Sequence, residues 1–249
     1  MKKQKPVVSI ITVVKNDKSN IQKTINSVKN QNFKKIEYIV LDGKSTDGTK
    51  SLILRNKKKI SRIIFKKDKN LYEGLNNAIK KARGKFIGIL HSGDTYNYKS
   101  AVKDSINFLN SKKVDFIFSN LFVRNKNGSI YRKIKGNYFK PFFLRFGIQP
   151  AHPTLFLKKK AHNQINGYTE FYKSEGDFDY FCKLFTGNLK WAHYNKFTIN
   201  QSRGGLSDTN YVGKFKTSFK LIEILNKNNI FTFRILFVFK LILRVKELF

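Results

Sequence analysis

Short apolar runs and segments of helical periodicity alternate along the amino-terminal half of the chain. Four runs rich in β-branched residues have the length of buried strands, at 7–14, 36–41, 61–65 and 86–90. Apolar residues recur at helical spacing in the three segments between them, at 20–31, 49–58 and 71–83. Ser19 or Asn20 is the expected N-cap of the first helix. The alternation predicts an α/β fold with a mostly parallel central sheet flanked by helices.

The carboxyl-terminal half has a less regular pattern. It predicts a helix at 101–110, strands at 114–123 and 129–134, and a helical stretch within 171–184. The aromatic and basic segment 139–147 is expected to form a loop or a short helix, and 203–207 a turn-rich loop. One or two helices are expected from residue 216 onward.

The last twenty residues, 230–249, are apolar but carry charges at Arg234, Lys240, Arg244, Lys246 and Glu247. A membrane-spanning helix needs about 20 mainly apolar residues, so no spanning helix is expected. On a helical wheel most of these charges share one arc, which is typical of a helix lying on an anionic membrane surface. The alternative is a helix packed on the core or on a second subunit.

Acidic residues stand where three of the predicted strands end. Asp42 follows the second strand, Asp68 the third and Asp94 the fourth. In open parallel sheets, ligands bind beyond the carboxyl ends of the strands. The placement of these carboxylates is therefore the first indication of a functional site.

The segment 42–49 (DGKSTDGT) has the composition of a tight ligand-binding turn. Its two glycines allow positive φ angles, and its carboxylates can hold a nucleoside through the base and the ribose. The next helix begins here, and a helix N-terminus favours phosphate. For Asp47, a purely structural role as an Asx turn or cap is the competing interpretation.

Two further acidic segments contain candidate metal-binding and catalytic residues. Asp94 in the segment 91–94 (HSGD) can bind a divalent cation that neutralises a diphosphate. Asp177 and Asp179 are two residues apart and cannot share a helical face, so one can point into a cleft while the other braces the loop. A carboxylate that faces a substrate hydroxyl can act as a general base. A capped helix start is the alternative for both.

The net charge limits the classes of partner that the protein is expected to bind. Fifty Lys and Arg against 16 Asp and Glu give +34, which favours nucleic acid, an anionic membrane surface or phosphorylated substrates, unless it reflects compositional drift. One cysteine excludes a disulfide scaffold and a cysteine-based zinc cluster. The run 7–14 follows three lysines but lacks a cleavage site, so we expect a buried strand, no signal peptide and a cytoplasmic protein.

Six segments, taken in order, resemble the family-2 glycosyltransferases of the GT-A fold. The resemblance covers about residues 7 to 207, and no phosphate-loop, dinucleotide or serine-hydrolase motif competes with it. The segments are SIIT at 9–12 with Asn16, DGKSTDGT at 42–49, DKNLYEGLN at 68–76, GKFIGILHSGD at 84–94, HPT at 152–154 with EGDFD at 175–179, and RGGLS at 203–207.

The resemblance implies a nucleotide-sugar donor, most often a UDP-sugar, and Mg²⁺ or Mn²⁺. Asp94 would ligate the metal, with His91, which replaces the usual Asn or Asp, as a further candidate. Asp177 would deprotonate the acceptor hydroxyl in a single displacement with inversion. The residues expected to contact the nucleotide sugar are Thr12, Asn16, Asp42, Ser45, Asp68, Asn76, Ser92 and Gly93.

The resemblance also implies an organisation. Residues 1–211 would form the GT-A (Rossmann-like) catalytic domain, with a nucleotide-sugar half at about 1–97 and an acceptor half at about 98–211. Residues 212–249 would form a basic, aromatic tail. The expected partners are a lipid-linked saccharide acceptor of the undecaprenyl diphosphate type and the anionic inner face of the cell membrane, whereas a homodimer is left open.

Two other functions compete with sugar transfer. A nucleic-acid-binding protein would use the positive charge and the aromatic residues, but carboxylates at three strand ends would repel phosphates, so no specific nucleic acid is expected. A Rossmann-like nucleotidyltransferase would need a glycine-rich loop after the first strand, and residues 13–16 contain no glycine.

Overall fold

The computed structural model describes residues 5–203 and 211–232, and within 211–218 the backbone alone. Its strands are β1 (Val8–Val14), β2 (Ile36–Asp42), β3 (Arg62–Phe65), β4 (Phe86–Ile89), β5 (Thr95–Tyr96), β6 (Phe116–Arg124), β7 (Ile130–Ile134), β8 (Phe156–Lys158) and β9 (Trp191–Ser202). Its α-helices are α1 (Lys18–Lys29), α2 (Thr49–Arg55), α3 (Leu71–Lys81), α4 (Ala101–Ser111), α5 (Lys159–Gln164), α6 (Gly176–Thr186) and α7 (Tyr211–Lys227). Short 3₁₀ segments lie at Lys57–Lys59, Pro141–Phe146 and His152–Thr154.

Within the described ranges, nine strands form one mixed sheet in the order β3-β2-β1-β4-β8-β6-β9-β5, with β7 paired to β6. The first four strands are parallel, as the alternating pattern predicts. Beyond them, β8 runs antiparallel to both β4 and β6, while β9 is parallel to β6. The predicted α/β fold is confirmed, and within it β5, β7 and β8 run antiparallel to their neighbours.

The two faces of the sheet are covered by different helices. Neighbouring residues of one strand serve opposite cores: Ile10 of β1 packs with the α1 and α4 side, and Ile11 packs with the α3 and α6 side. This is the alternation that a strand buried on both faces requires. The central sheet is therefore packed on both faces.

Helix α1 starts earlier than its sequence predicts. Asp17, not Ser19 or Asn20, occupies the N-cap, and its carboxylate accepts a hydrogen bond from the Asn20 side chain at 2.6 Å. The backbone NH of Asp17 donates to Thr49 at 3.0 Å, so the start of α1 is tied to the start of α2. The N-cap prediction was wrong because this contact joins segments far apart in sequence.

The start of the predicted tail belongs to the packed part of the molecule. Helix α7 crosses the predicted boundary at 211 and packs against α6, with Leu221, Ile224 and Leu225 buried in the same core. No helix among the described residues is both long and apolar enough to cross a membrane. Residues 204–207 of the predicted loop and 233–249 of the predicted surface helix lie outside the described residues. The division into domains stays a prediction.

Candidate active site

The carboxyl ends of the four parallel strands form one edge of the sheet, and the candidate site lies along it. Strand β8 joins this edge because it runs antiparallel to β4, with Phe156 opposite Gly88. A Cβ atom on Gly88 would lie 2.6 Å from the Phe156 ring, so only glycine lets the two strands approach. This pairing brings His152, just before β8, to the same edge as His91, just after β4.

The loops after β1 and β2 hold each other through side chains. The backbone NH of Asn16 donates to the Ser45 hydroxyl at 2.8 Å, and the Asn16 side chain accepts from the Thr46 NH at 2.8 Å. Ser45 also donates to one oxygen of Asp42, through both its hydroxyl and its NH. Asp42 is fully buried, and its Oδ2 has no hydrogen-bond partner. The structure brings these three predicted nucleotide-contacting residues together.

Only one of the two glycines in this loop has a positive φ angle. Gly48 has a φ of +94°, as expected, but the other left-handed position is Lys44, at +60°, and not Gly43. Asp47 accepts hydrogen bonds from the Lys18 NH and from both the NH and hydroxyl of Thr49, and these bonds lower its pKa to about 2. These contacts are the ones expected if Asp47 has a purely structural role, as an Asx turn or cap.

Two of the predicted nucleotide-contacting residues have side chains engaged within the protein. Thr12 is fully buried, donates to the Leu90 carbonyl at 2.7 Å and lies 3.1 Å from the Tyr38 hydroxyl. Asn76 bonds both the NH and the carbonyl of Tyr168 and the Glu170 carboxylate. Both side chains connect separate segments of the fold behind the edge of the sheet.

Asp68 is placed differently, because one of its oxygens is uncommitted. Its Oδ1 accepts from Asn77 at 2.7 Å and lies 3.2 Å from the Lys66 ammonium. Its Oδ2 is buried without a partner. Asp68 therefore resembles Asp42, with one oxygen held by the protein and the other unpaired.

The turn after β4 holds Ser92, Gly93 and Asp94. Gly93 has a φ of +95° and its NH donates to Thr24, while the Ser92 hydroxyl is buried and unpaired. Asp94 is only 4% exposed; its Oδ1 accepts from the Ser202 NH at 3.4 Å, and its Oδ2 has no partner. Burial raises the pKa of Asp94 to about 7, against the opposing effect of the Ser202 NH. A bound cation would offset the free-energy cost of burying this carboxylate in its charged form.

A second cluster joins three side chains from separate elements: His91, His152 and Asp177. The ring nitrogens His91 Nε2 and His152 Nδ1 lie 3.2 Å apart, and His152 Nδ1 lies 3.6 Å from Asp177 Oδ2. One potential ligand atom from each residue lies within 4.8 Å of the others. Among the described residues, this is the one group of three or more such side chains, and it does not include Asp94.

Burial sets the protonation of this cluster. It lowers the pKa of His91 to about 4 and that of His152 to about 3, so both imidazoles are neutral near pH 7. It raises the pKa of Asp177 to about 6, with His91 opposing the shift. The Asp177 side chain is 26% exposed, and its Oδ1 has no hydrogen-bond partner. The cluster thus offers neutral nitrogens and a carboxylate of raised basicity.

Helix α6 gives its two carboxylates separate positions, as the spacing argument requires. Asp177 faces the histidines, and its backbone NH donates to the Tyr72 hydroxyl at 3.3 Å. Asp179 points away and is 3% exposed, with contacts to Thr169 at 2.6 Å, Lys183 at 3.2 Å and Asn228 at 3.1 Å. Asp179 therefore braces the helix, and Asp177 is free for chemistry.

Aromatic side chains support the cluster from behind. The Tyr168 hydroxyl lies 2.8 Å from His152 Nε2, on the side of the ring opposite His91, and the Tyr168 ring stacks on Tyr180 with centroids 3.8 Å apart. Sequence reasoning gave no role to His152, Tyr168 or Tyr72. The His-Pro pair at 152–153 was a signal for the first, whereas nothing local in the sequence marks the tyrosines.

The cluster fits a divalent transition-metal ion. Two neutral imidazoles and a carboxylate form a mixed nitrogen and oxygen donor set, which suits Mn²⁺ better than Mg²⁺, an ion that prefers oxygen. His152 has a partner for its other nitrogen in Tyr168, as metal-ligating histidines generally do. Asp94 Oδ2 is a separate candidate ligand, and its role stays a prediction.

Comparisons with known proteins bear on the family and the fold of the chain. The family model of glycosyl transferase family 2 matches residues 9–174. WfaP of Escherichia coli, a UDP-Glc:α-D-GlcNAc-diphosphoundecaprenol β-1,3-glucosyltransferase, is 38% identical over 120 residues, 47% of each chain.

Two solved structures share the fold. TarS (1–349) of S. aureus in complex with UDP-GlcNAc has a TM-score of 0.68 at 18% identity, covering 88% of this chain and 66% of its own. A mannosyltransferase of Pyrobaculum calidifontis in complex with GDP-Man and Mn²⁺ has a TM-score of 0.66 at 14% identity, covering 90% and 64%. The chain thus spans about half of WfaP and just under two thirds of these two. On the family match and the fold together, the chain belongs to glycosyl transferase family 2.

Proposed function

We propose that this glycosyltransferase moves a sugar from a UDP-sugar to an acceptor hydroxyl in a single displacement that inverts the anomeric carbon. The observation that carries the proposal is the unpaired Oδ1 of Asp177, held beside two neutral histidines at the edge of the sheet. No other carboxylate of α6 is available, since Asp179 is engaged by three side chains.

Asp177 has the properties of a general base. A base works best when its pKa lies close to the working pH, and burial raises the pKa of Asp177 to about 6. It is therefore ionised at pH 7.5, yet more basic than an ordinary carboxylate. The Asp177 Oδ1 atom would take the proton of the acceptor hydroxyl as its oxygen attacks the anomeric carbon, and the bond to the nucleoside diphosphate would break.

The donor would lie along the ends of β1 to β4. Asp42 and Asp68 each keep one buried oxygen without a partner, and the Ser92 hydroxyl is likewise unpaired. Buried polar atoms without partners are uncommon in folded proteins and mark places where a ligand can pair with them. Asn16, Ser45 and Gly93 shape the same loops, whereas Thr12 and Asn76 would act by holding segments in place. WfaP and TarS support UDP as the nucleotide, since WfaP is named as a UDP-Glc-dependent enzyme and TarS was solved in complex with UDP-GlcNAc.

A divalent cation, Mn²⁺ in preference to Mg²⁺, would be held by His91 and His152, and the Asp177 carboxylate would be left to act on the acceptor hydroxyl. When bound, it would stabilise the negative charge of the departing diphosphate. Tyr168 would orient His152, and the unpaired Asp94 Oδ2 would remain close to the diphosphate end of the donor site. The pairing of Mn²⁺ with GDP-Man in the Pyrobaculum mannosyltransferase supports a metal-assisted mechanism.

The acceptor would be a saccharide carried on an undecaprenyl diphosphate lipid, at the cytoplasmic face of the cell membrane. WfaP is named for a diphosphoundecaprenol-linked acceptor, which supports this class of acceptor. A net charge of +34 favours the anionic membrane surface, which residues 230–249 would contact. Residues 1–211 would supply the donor and acceptor halves. Nucleic-acid binding is disfavoured because the polar edge of the sheet carries unpaired carboxylate oxygens.

The test measures UDP release and the anomeric configuration of the product with a synthetic undecaprenyl diphosphate acceptor. Asp177→Asn keeps the shape of the side chain but removes the base, so we expect transfer to fall by about 10²–10⁴-fold. Asp104→Asn is the matched control, because Asp104 also lies in the first turn of a helix but is not part of the cluster. Unchanged transfer by Asp177→Asn, or a product of retained configuration, would refute the proposed mechanism.

A further inference from the structure

The segment 138–146 presents a group of four aromatic residues, two exposed and two half-buried, that the proposed reaction does not use. Tyr138 is 74% exposed and Phe142 56% exposed. Phe142 packs edge-on against Phe146, with ring centroids 5.4 Å apart, and lies 6.4 Å from Phe143. We call this group of four aromatic residues the aromatic patch. Exposed aromatic clusters of this kind mark interaction sites.

The aromatic patch is held rigidly by the residues between its members. Phe139 points inward and packs edge-on against Phe118 at 5.6 Å, and Leu144 is 1% exposed. The 3₁₀ segment Pro141–Phe146 ends at Gly147, whose φ is +68°. The outward rings are therefore presented by an anchored turn.

The sequence around the aromatic patch is basic. Lys133, Lys135 and Lys140 are exposed, and the Arg145 guanidinium stacks over the Phe142 ring at 5.4 Å. The chain contains no Asp or Glu from residue 116 to residue 169. Aromatic rings flanked by Lys and Arg are the composition of surfaces that insert into the headgroup layer of an anionic bilayer.

The aromatic patch also lies beside the last residue that the structure describes. The Thr232 hydroxyl donates to the Arg145 carbonyl at 2.6 Å, so the end of the described chain is tied to this turn. The sequence that follows, 233–249, is basic and aromatic as well. The exposed rings and Thr232 therefore lie on the same side of the molecule.

We propose that the aromatic patch, with Lys133, Lys135 and Lys140, is a preformed docking surface for an anionic lipid bilayer. It adds a folded contact to the one expected of residues 233–249. His152 follows the patch by only a few residues, so the same contact would hold the candidate active site near the membrane surface. The proposal deepens the proposed function, since a lipid-linked acceptor lies in that surface.

The first experiment places a fluorescent label on the aromatic patch of the full chain. Tyr138→Cys and Phe142→Cys are each labelled with a nitrobenzoxadiazole thiol probe, since the native Cys182 is buried and will not compete. Leu54→Cys, on α2 and 43% exposed, is the matched control. We expect a blue shift and a severalfold rise in emission at 138 and 142, but not at 54, when vesicles of equal parts phosphatidylglycerol and phosphatidylcholine are added.

Three outcomes would overturn the proposal. Emission that stays unchanged with anionic vesicles, or that changes equally at position 54, shows that the patch does not enter the bilayer. Emission already blue-shifted in buffer shows that the patch is covered, by residues 233–249 if the shift is independent of protein concentration and by a second copy if it is not. Equal changes with pure phosphatidylcholine vesicles remove the role of lipid charge.

A second experiment tests the basic rim by vesicle partitioning. Lys140→Gln removes one charge near the surface and is expected to weaken partitioning about fivefold. Lys29→Gln, an exposed lysine at the end of α1, is the control and should leave partitioning unchanged. An equal effect of the two variants would show non-specific attraction and contradict the proposal. Neither experiment requires catalysis, so failure here is separate from failure of sugar transfer.

Discussion

Tyr168 offers the sharpest test of how the candidate metal cluster is organised. Its hydroxyl lies 2.8 Å from His152 Nε2, and both residues are nearly fully buried. Tyr168→Phe keeps the ring and its stacking on Tyr180, and removes only the oxygen. The substitution leaves His152 Nε2 buried without its partner, which we expect to lower the free energy of unfolding by about 1–3 kcal/mol.

The second expected effect concerns the metal. Without the Tyr168 hydroxyl, His152 Nε2 loses the partner that helps to fix its tautomer, and loss of such a partner typically weakens metal affinity or activity by about 10–100-fold. We therefore expect the Mn²⁺ concentration for half-maximal transfer to rise by about that factor.

Tyr180→Phe is a closely matched control. The Tyr180 hydroxyl lies 2.8 Å from His162 Nδ1, in equally buried surroundings, but His162 is outside the cluster. Urea unfolding should show similar losses of stability for both variants, while Mn²⁺ titration of transfer should change for Tyr168→Phe alone. An unchanged Mn²⁺ requirement in Tyr168→Phe, or the same change in both variants, would refute the positioning role.

Two further predictions concern the opposite edge of the sheet. The pKa of Glu37 is raised by burial but lowered more by hydrogen bonds from Ser9 and Arg83, so it lies below its ordinary value. Its stabilising effect is present above the unfolded-state pKa and lost as pH falls through the folded-state pKa. Glu37→Gln should cost about 2 kcal/mol in urea unfolding at pH 7 and progressively less below about pH 4, and a constant cost would contradict the ion pairing. Gly84→Ala would place a Cβ 2.5 Å from the Ser9 nitrogen, so we expect a loss of about 3 kcal/mol in thermal unfolding, where a loss below about 1 kcal/mol would show that the backbone can move.

The sequence predicts the first half of the fold well because the information there is local. Each parallel strand is a run of β-branched residues, and each following helix has its own apolar periodicity. The boundaries move by only a few residues, as where the helix predicted for 49–58 ends at Arg55 and continues as a 3₁₀ turn.

The second half depends on pairing between distant segments, which no local pattern reveals. Strand β8 has three residues, and β9 alternates little between apolar and polar positions, yet the two strands flank β6 in the sheet. Neither was predicted. Their assembly moves His152 beside His91, so the candidate cluster could not be read from sequence spacing.

In the candidate site, too, some features could be predicted from local sequence, whereas others depend on contacts between distant segments. Asp42, Asp68 and Asp94 were recognisable because strand ends can be located from sequence, and each retains an unpaired buried oxygen. Thr12 and Asn76 carry the same kind of motif signal, but their side chains are engaged by partners in other segments. A motif identifies a position, whereas the contacts made across the fold decide which atoms remain free.

The most direct test of the account is thermal unfolding with UDP, GDP, CMP and ADP, each with and without Mn²⁺. A ligand at a hundredfold excess over its Kd stabilises the folded state by about 2.7 kcal/mol, a rise of about 5–10 °C for a chain of this size. We expect UDP with Mn²⁺ to raise the midpoint of thermal unfolding and UDP alone to raise it far less. His152→Gln should remove this difference between UDP with Mn²⁺ and UDP alone. No shift with any nucleotide, or a UDP shift independent of Mn²⁺, would contradict metal-assisted donor binding at this site.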